Sequence, residues 1–203
     1  MRGKAGLPLF RALKTLDPDV KDEYRFEWLF IPKSFERSET EKKIIENLWA
    51  DCKQRGKNKF PGKECDYTDI YTRDEKITGV SRRLEFDFFL PKYNLIIELD
   101  EIQHFTVERS ITFNHYPKEG FYYDCSLWKK LCDNYQKKDS DPLTRDWKRA
   151  FRDAVRDLRA KEHNFPLIRL FIKDYDAKAF SGNEPNVMLE LKKRIVETTR
   201  KHE

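Results

Sequence analysis

RRLEFDFFLPKYNLIIELDEIQHF, residues 82 to 105, alternates acidic and apolar side chains through two short runs separated by Pro91 and Lys92. Residues two apart on a strand share a face. Glu85 and Asp87 therefore share one face of the first run, 82 to 90, with Phe86 and Phe88 on the other. In the second run, 94 to 100, Glu98 and Asp100 share a face opposite Leu95, Ile97 and Leu99. Asp87 and Glu98 stand eleven positions apart across the turn, so side-by-side pairing brings acids together. Converging acids repel, and a divalent cation is one counter-charge. Mg²⁺ takes one or two carboxylates, keeps several waters and leaves positions for substrate phosphate. Such a metal activates an attacking water and offsets charge at phosphorus, which points to phosphodiester hydrolysis. The competing reading is a solvated polar face on an antiparallel hairpin. Gln103 and His104, directly after the second run, weigh against it by adding a donor and a titratable base.

Outward from this block, SETEKKIIENLWADCKQR (38 to 55) reads as a helix ending near Gly56. Its Ile44, Ile45, Leu48, Trp49 and Cys52 recur at helical spacing, and Ser38 with Glu41 matches a capping box. Residues 1 to 35 read as an N-terminal extension, a short amphipathic start and then a loop broken by prolines. A first strand is expected within 66 to 80. Residues 106 to 142 read as irregular, and too long for an ordinary connection, so they are taken as an insertion or lid. Residues 143 to 163 form the clearest helix, with Trp147, Phe151, Ala154 and Leu158 as one apolar stripe. LIRLFI (167 to 172) is a continuous apolar run that reads as a buried strand, followed by a final helix at about 185 to 200. The order α-β-β-β-α-β, then a helix, gives an α/β sandwich around a mixed sheet, in one domain spanning 36 to 203.

The 203 residues allow one domain with a sizeable core. Charged residues reach 38% and mean hydropathy is −0.86, but 14% aromatics argue against disorder. A net charge of +5 leans mildly towards an acidic partner such as nucleic acid. No apolar run is long enough for a transmembrane helix. The start, MRGKAGLPLFRALKTLDPDV, lacks an adequate apolar stretch for a signal peptide, so an intracellular protein (cytoplasm or nucleoid), not a secreted one, is expected. Cys52, Cys65, Cys125 and Cys132 are scattered and read as reduced thiols, with no CxxC-like zinc pairing.

The block RLEFDFFLPKYNLIIELDEIQHF resembles the PD-(D/E)XK nuclease superfamily, in particular its very-short-patch-repair and homing-endonuclease-like branch. There an Asp strand is followed by E-x-D-G-x-Q-H. The SETEKKIIENLW helix and RDAVRDLRAKEHNFPLIRLF extend the likeness to about half the chain, in the same order. The resemblance implies a restriction-endonuclease-like core and a Mg²⁺-dependent DNA endonuclease, with Mn²⁺ as an alternative ion. By position, Asp87 corresponds to the central metal ligand and Glu98 to the acid of the (D/E)XK element. Asp100 stands where that element has lysine and is read as a third ligand; Glu101 replaces the frequent glycine. Without the lysine, His104 becomes the candidate general base or phosphate ligand. The resemblance also implies a helix glutamate, Glu41, aimed at the metal, though the capping box explains the same residue. Asp153 would complete the acidic cluster, with a solvated ion pair as its competitor. Gln103 is counted with the catalytic group.

For DNA contact, Arg82 and Arg83 lie closest to the presumed active edge. Arg149, Arg152 and Arg156, with Arg145, repeat on the helix face opposite the apolar stripe, where a phosphate backbone or plain solvent can lie. Phe121, Tyr122, Tyr123 and Trp128 of the insertion read as a small satellite core or as base-stacking groups. Two other classes stay open: a non-catalytic nucleic-acid-binding module of the same fold, and a structural protein that binds a partner through the insertion. Double-strand cleavage would require a homodimer, a larger complex or two successive nicks.

Overall fold

A computed structural model describes residues 6–56, 59–60, 63–64, 83–138, 145–175 and 185–202. The expected strand within 66 to 80, Arg82 and Cys65 lie outside the described residues. The chain is a mixed α/β fold with a four-stranded sheet, ordered β1 (Lys21–Tyr24), β4 (Phe86–Leu90), β5 (Leu95–Asp100) and β6 (Leu167–Phe171). A separate two-stranded hairpin joins β2 (Lys59–Phe60) to β3 (Lys63–Glu64). β1 and β4, and β4 and β5, pair antiparallel; β5 and β6 run parallel, Glu98 beside Arg169 and Asp100 beside Phe171.

Both faces of the sheet are covered. On one, Phe88, Leu90, Leu95, Ile97, Ile168 and Leu170 pack with Leu9 and Leu13 of α1 (Gly6–Leu16) and Leu191 and Ile195 of α6 (Pro185–His202). The other carries Asp87, Ile96, Glu98, Asp100, Leu167 and Arg169 beneath α2 (Glu39–Gln54) and α5 (Arg145–Glu162). Glu98 and Asp100 are 5% and 2% exposed, so the acidic face is not a solvated one. Phe86 departs from strict alternation: it packs on the acidic side against Phe26 and Trp28, at ring-centroid distances of 5.9 and 6.1 Å.

The apolar stripes form the expected helices. In α2, Ile44, Ile45, Leu48 and Cys52 are fully buried, and Gly56, at φ +65°, follows the helix end in the left-handed conformation glycine adopts without penalty. Its capping box is complete: the Ser38 hydroxyl accepts from the Glu41 amide at 3.2 Å, and Glu41 Oε2 accepts from the Ser38 amide at 2.8 Å. Ser38→Ala is expected to cost about 1 kcal/mol, a fall of about 2–4 °C in Tm for a chain of this size. Calorimetry finding no change would leave the cap without energetic weight.

Two expectations are corrected. The N-terminal stretch is not only helix and loop, because KDEY forms β1 on the sheet edge. Its four alternating polar residues carry too little apolar pattern to announce a strand. Nor is the insertion irregular: it folds into α3 (Val107–Phe113) and α4 (Cys125–Tyr135), capped by Thr106 and Asp124. α3 packs against α4 and α5. Tyr123 and Trp128 join the main core rather than a satellite one. Cys125 and Cys132 are free thiols on α4, and burial pushes them up to about 11 and about 12, which disfavours the reactive thiolate.

Candidate functional site

The central strands, the turn after β5 and the long helix α5 converge on one buried charged layer. β4 contributes Asp87, β5 Glu98 and Asp100, the turn Ile102–His104 contributes His104, and α5 contributes Asp153, Arg156 and Asp157. On α5 the buried acids Asp146, Asp153 and Asp157 run along one flank of the apolar stripe, which turns them towards the sheet.

Asp87 and Glu98 brace one another through the backbone. Asp87 Oδ2 accepts from the Leu99 amide at 2.8 Å, and Glu98 Oε1 accepts from the Asp87 amide at 3.0 Å. The nearest cations to Glu98 are Arg156 Nε at 3.8 Å and Arg169 Nη1 at 4.0 Å, beyond hydrogen-bond reach. Burial, with too little compensation from the Leu99 amide and Arg156, raises Asp87 above its ordinary value. Burial and then the charge of Asp87 push Glu98 well above its own.

The other acids are neutralised. Asp100 Oδ1 and Oδ2 accept from Arg169 Nη1 at 2.8 and 3.0 Å, and Trp128 Nε1 donates to Oδ2 at 2.6 Å. Burial opposes its charge, but Arg169, His104 and Arg109 together outweigh it and hold Asp100 below the usual carboxylate value. Asp157 is the hub: Arg169 Nε donates to Oδ1 at 2.8 Å, while Arg109, Tyr116 and Tyr123 donate to Oδ2 at 2.7, 2.6 and 2.9 Å. Asp153 accepts from Arg156 at 3.2 Å and faces His104 Nδ1 at 3.1 Å, with Arg109 at 3.7 Å. Burial would raise Asp153, yet Arg109 and His104 set it well below its ordinary value. Burial likewise opposes a charged His104, and Asp153 and Asp100 outweigh it, raising the imidazole.

Ligand atoms of Asp100, His104 and Asp153 lie within 4.8 Å of one another. Every carboxylate oxygen in that trio already meets a protein donor or cation. The layer thus brings together Asp87, Glu98, Asp100, His104 and Asp153. Gln103 stands apart, exposed, with its amide on Glu101 and its carbonyl accepting from Arg149 at 2.8 Å. Glu41 is engaged by its cap and by Arg159 Nη2 at 3.1 Å.

Among the expected DNA-contacting arginines, Arg83 is exposed beside Phe30. Arg156 turns inward instead: it donates to the Glu85 carbonyl at 2.8 Å and to Asp153, because buried carboxylates attract it more than solvent does. Arg149 and Arg152 are half-buried on α5. Sequence reasoning missed Arg109 and Arg169. The signal available for Arg169 was its charge inside the apolar run LIRLF, since a fully buried arginine demands acidic partners.

Searches against protein-family models, curated proteins and solved structures find no match to this chain.

Proposed function

We propose that the chain is a Mg²⁺-dependent endodeoxyribonuclease with a restriction-endonuclease-like core. The observation that carries this reading is the contrast within the charged layer. Asp100, Asp153 and Asp157 each have an arginine, whereas Asp87 and Glu98 are held between strands with no cation in hydrogen-bonding contact. The donor set fits a hard cation: Asp87 Oδ1 and Glu98 Oε2 are carboxylate oxygens without a hydrogen-bond donor among the described residues. Those two residues would hold the metal, which when bound supplies an activated water and charge stabilisation at phosphorus. Asp100, placed where the family carries lysine, anchors Arg169 rather than a metal, so Arg169 brings a fixed positive charge beneath Glu98. Asp153 fixes His104 through Nδ1 and favours its imidazolium, leaving Nε2 to donate to a phosphate oxygen or a leaving group.

The decisive test incubates the full chain with supercoiled plasmid and with single-stranded DNA, in Mg²⁺, Mn²⁺ or EDTA. Metal-dependent nicking abolished by EDTA is the expected result; none with either ion sinks the enzyme reading for these substrates. One observation favours a second reading, a binding module without cleavage: the lysine position is occupied by an acid locked between Arg169 and Trp128. Binding that persists with no cleavage would select it.

A further inference from the structure

Beside His104 lies a groove of about 560 Å³, within the range of ligand-binding pockets. It opens at the carboxyl ends of the parallel pair β5 and β6, where α/β sheets commonly place ligands. The turn Glu101–Gln103 after β5 forms one side and Ile172, directly after β6, closes the end. Lys137 and Lys138, at the end of the segment after α4, also line it. Both are exposed, and neither side chain has an ion-pair or hydrogen-bond partner among the described residues. Their position is nonetheless fixed: the Lys137 amide donates to the Phe105 carbonyl at 2.9 Å, and Lys137 bridges Thr106, two residues after His104. Arg149 also lines the groove, holding the Gln103 backbone carbonyl at 2.8 Å and pairing with Asp146 at 3.5 Å. The one acid in the lining, Glu101, is tied to the Gln103 amide.

The geometry points to this groove as the site that seats the polynucleotide strand flanking the scissile bond, with Lys137 and Lys138 on consecutive phosphates. This rests on the nuclease reading for the choice of a polynucleotide over another polyanion. Charge complementarity supplies the attraction, because two exposed ammonium groups share the groove with one carboxylate that is already hydrogen-bonded. Ile102 and Ile172 give the groove apolar surface between the cations, which suits a sugar or base and gives nothing to an acidic peptide backbone. The insertion thereby acquires a role: its last described residues carry half of a strand-binding wall.

Binding is measured in EDTA, by fluorescence anisotropy of a labelled single-stranded oligonucleotide over a salt series, so that cleavage does not enter. Lys137→Ala with Lys138→Ala is expected to weaken binding about tenfold at low salt, and to flatten the slope of log affinity against log salt by about 1.4. Lys192→Ala with Lys193→Ala, on α6 beyond the opposite face of the sheet, is the control and leaves both quantities unchanged. Equal losses in the two pairs, no loss in the first, or no binding by the wild type would each overturn the proposal. Polyglutamate competing as well as unlabelled oligonucleotide at equal charge would overturn it in favour of an acidic protein partner. Groove-dependent binding by a protein that never cleaves would leave the groove standing and remove only the nuclease reading.

Discussion

Arg169→Met is expected to lower folding stability by about 3–5 kcal/mol, the cost of leaving a buried charge without its partner. The guanidinium is fully buried and bonds Asp100 through Nη1 and Asp157 through Nε. Methionine fills much of the volume but leaves Asp100 with Trp128 and, at 3.5 Å, His104, and leaves Asp157 with Arg109 and two tyrosines. Against a total of about 5–15 kcal/mol for a domain, this is a large fraction. Lysine does not restore the loss, since one ammonium lacks the fork that spans both carboxylates. The variant also changes the response to pH. Asp100 is depressed in the native protein, so it contributes stability above its unfolded value of 3.8, lost as pH falls through its lower folded value. Without Arg169 burial dominates, Asp100 is raised, and the contribution reverses sign. Urea unfolding across pH measures both effects; a loss below about 1 kcal/mol would show that Arg169 is not the counter-charge of this layer.

Glu98→Gln is expected to act in opposite directions on activity and stability. If Glu98 holds the metal, its loss removes several kcal/mol of charge stabilisation, and about 4 kcal/mol corresponds to about 10³-fold in rate. The metal-free protein gains stability at neutral pH. Glu98 is raised above 4.5 by burial and by Asp87, so ionising it in the folded state costs free energy. The Glu98 contribution to stability of the metal-free wild type therefore declines as pH rises above 4.5 and levels off only beyond the folded value. Glutamine carries no such penalty and still accepts from the Asp87 amide. Mg²⁺ or Mn²⁺ at about 100 times its Kd should stabilise the wild type by about 2.7 kcal/mol, and should leave Glu98→Gln unmoved. Thermal unfolding with and without metal at two pH values decides the matter. An equal metal-induced shift in both proteins would remove Glu98 from the ligand set.

The acids were legible because a strand's two-residue period puts Glu98 and Asp100 on one face, and the short turn between the runs pairs Asp87's strand beside theirs. The helices α2 and α5 were legible from their apolar stripes, and the Ser38–Glu41 cap from its spacing. What the sequence hid was compensation. Arg169 shows only as a lone charge in an otherwise apolar run, and Arg109 lies in a short helix, VERSITF, with no clear apolar stripe. Neither pattern says which acid lies opposite, since that depends on β6 lying beside β5 and on α3 leaning on α5. The placement of Arg156 was hidden for the same reason: helical periodicity puts it opposite the apolar stripe, but it bonds the Glu85 carbonyl and Asp153 in the charged layer.

The parallel pairing of β5 with β6 joins Ile96 to Leu167 across the whole insertion and α5. Closing so long a loop costs chain entropy before any contact rewards it, so pairings of this kind come late in folding. If β6 docks last, Glu98, Asp100 and Arg169 stay hydrated until it does, and the early search among compact chains is not burdened by dehydrating them. The last step then excludes water from the acids and supplies their arginine at once. In that order the charged layer closes in a single event, rather than being carried half-built through folding.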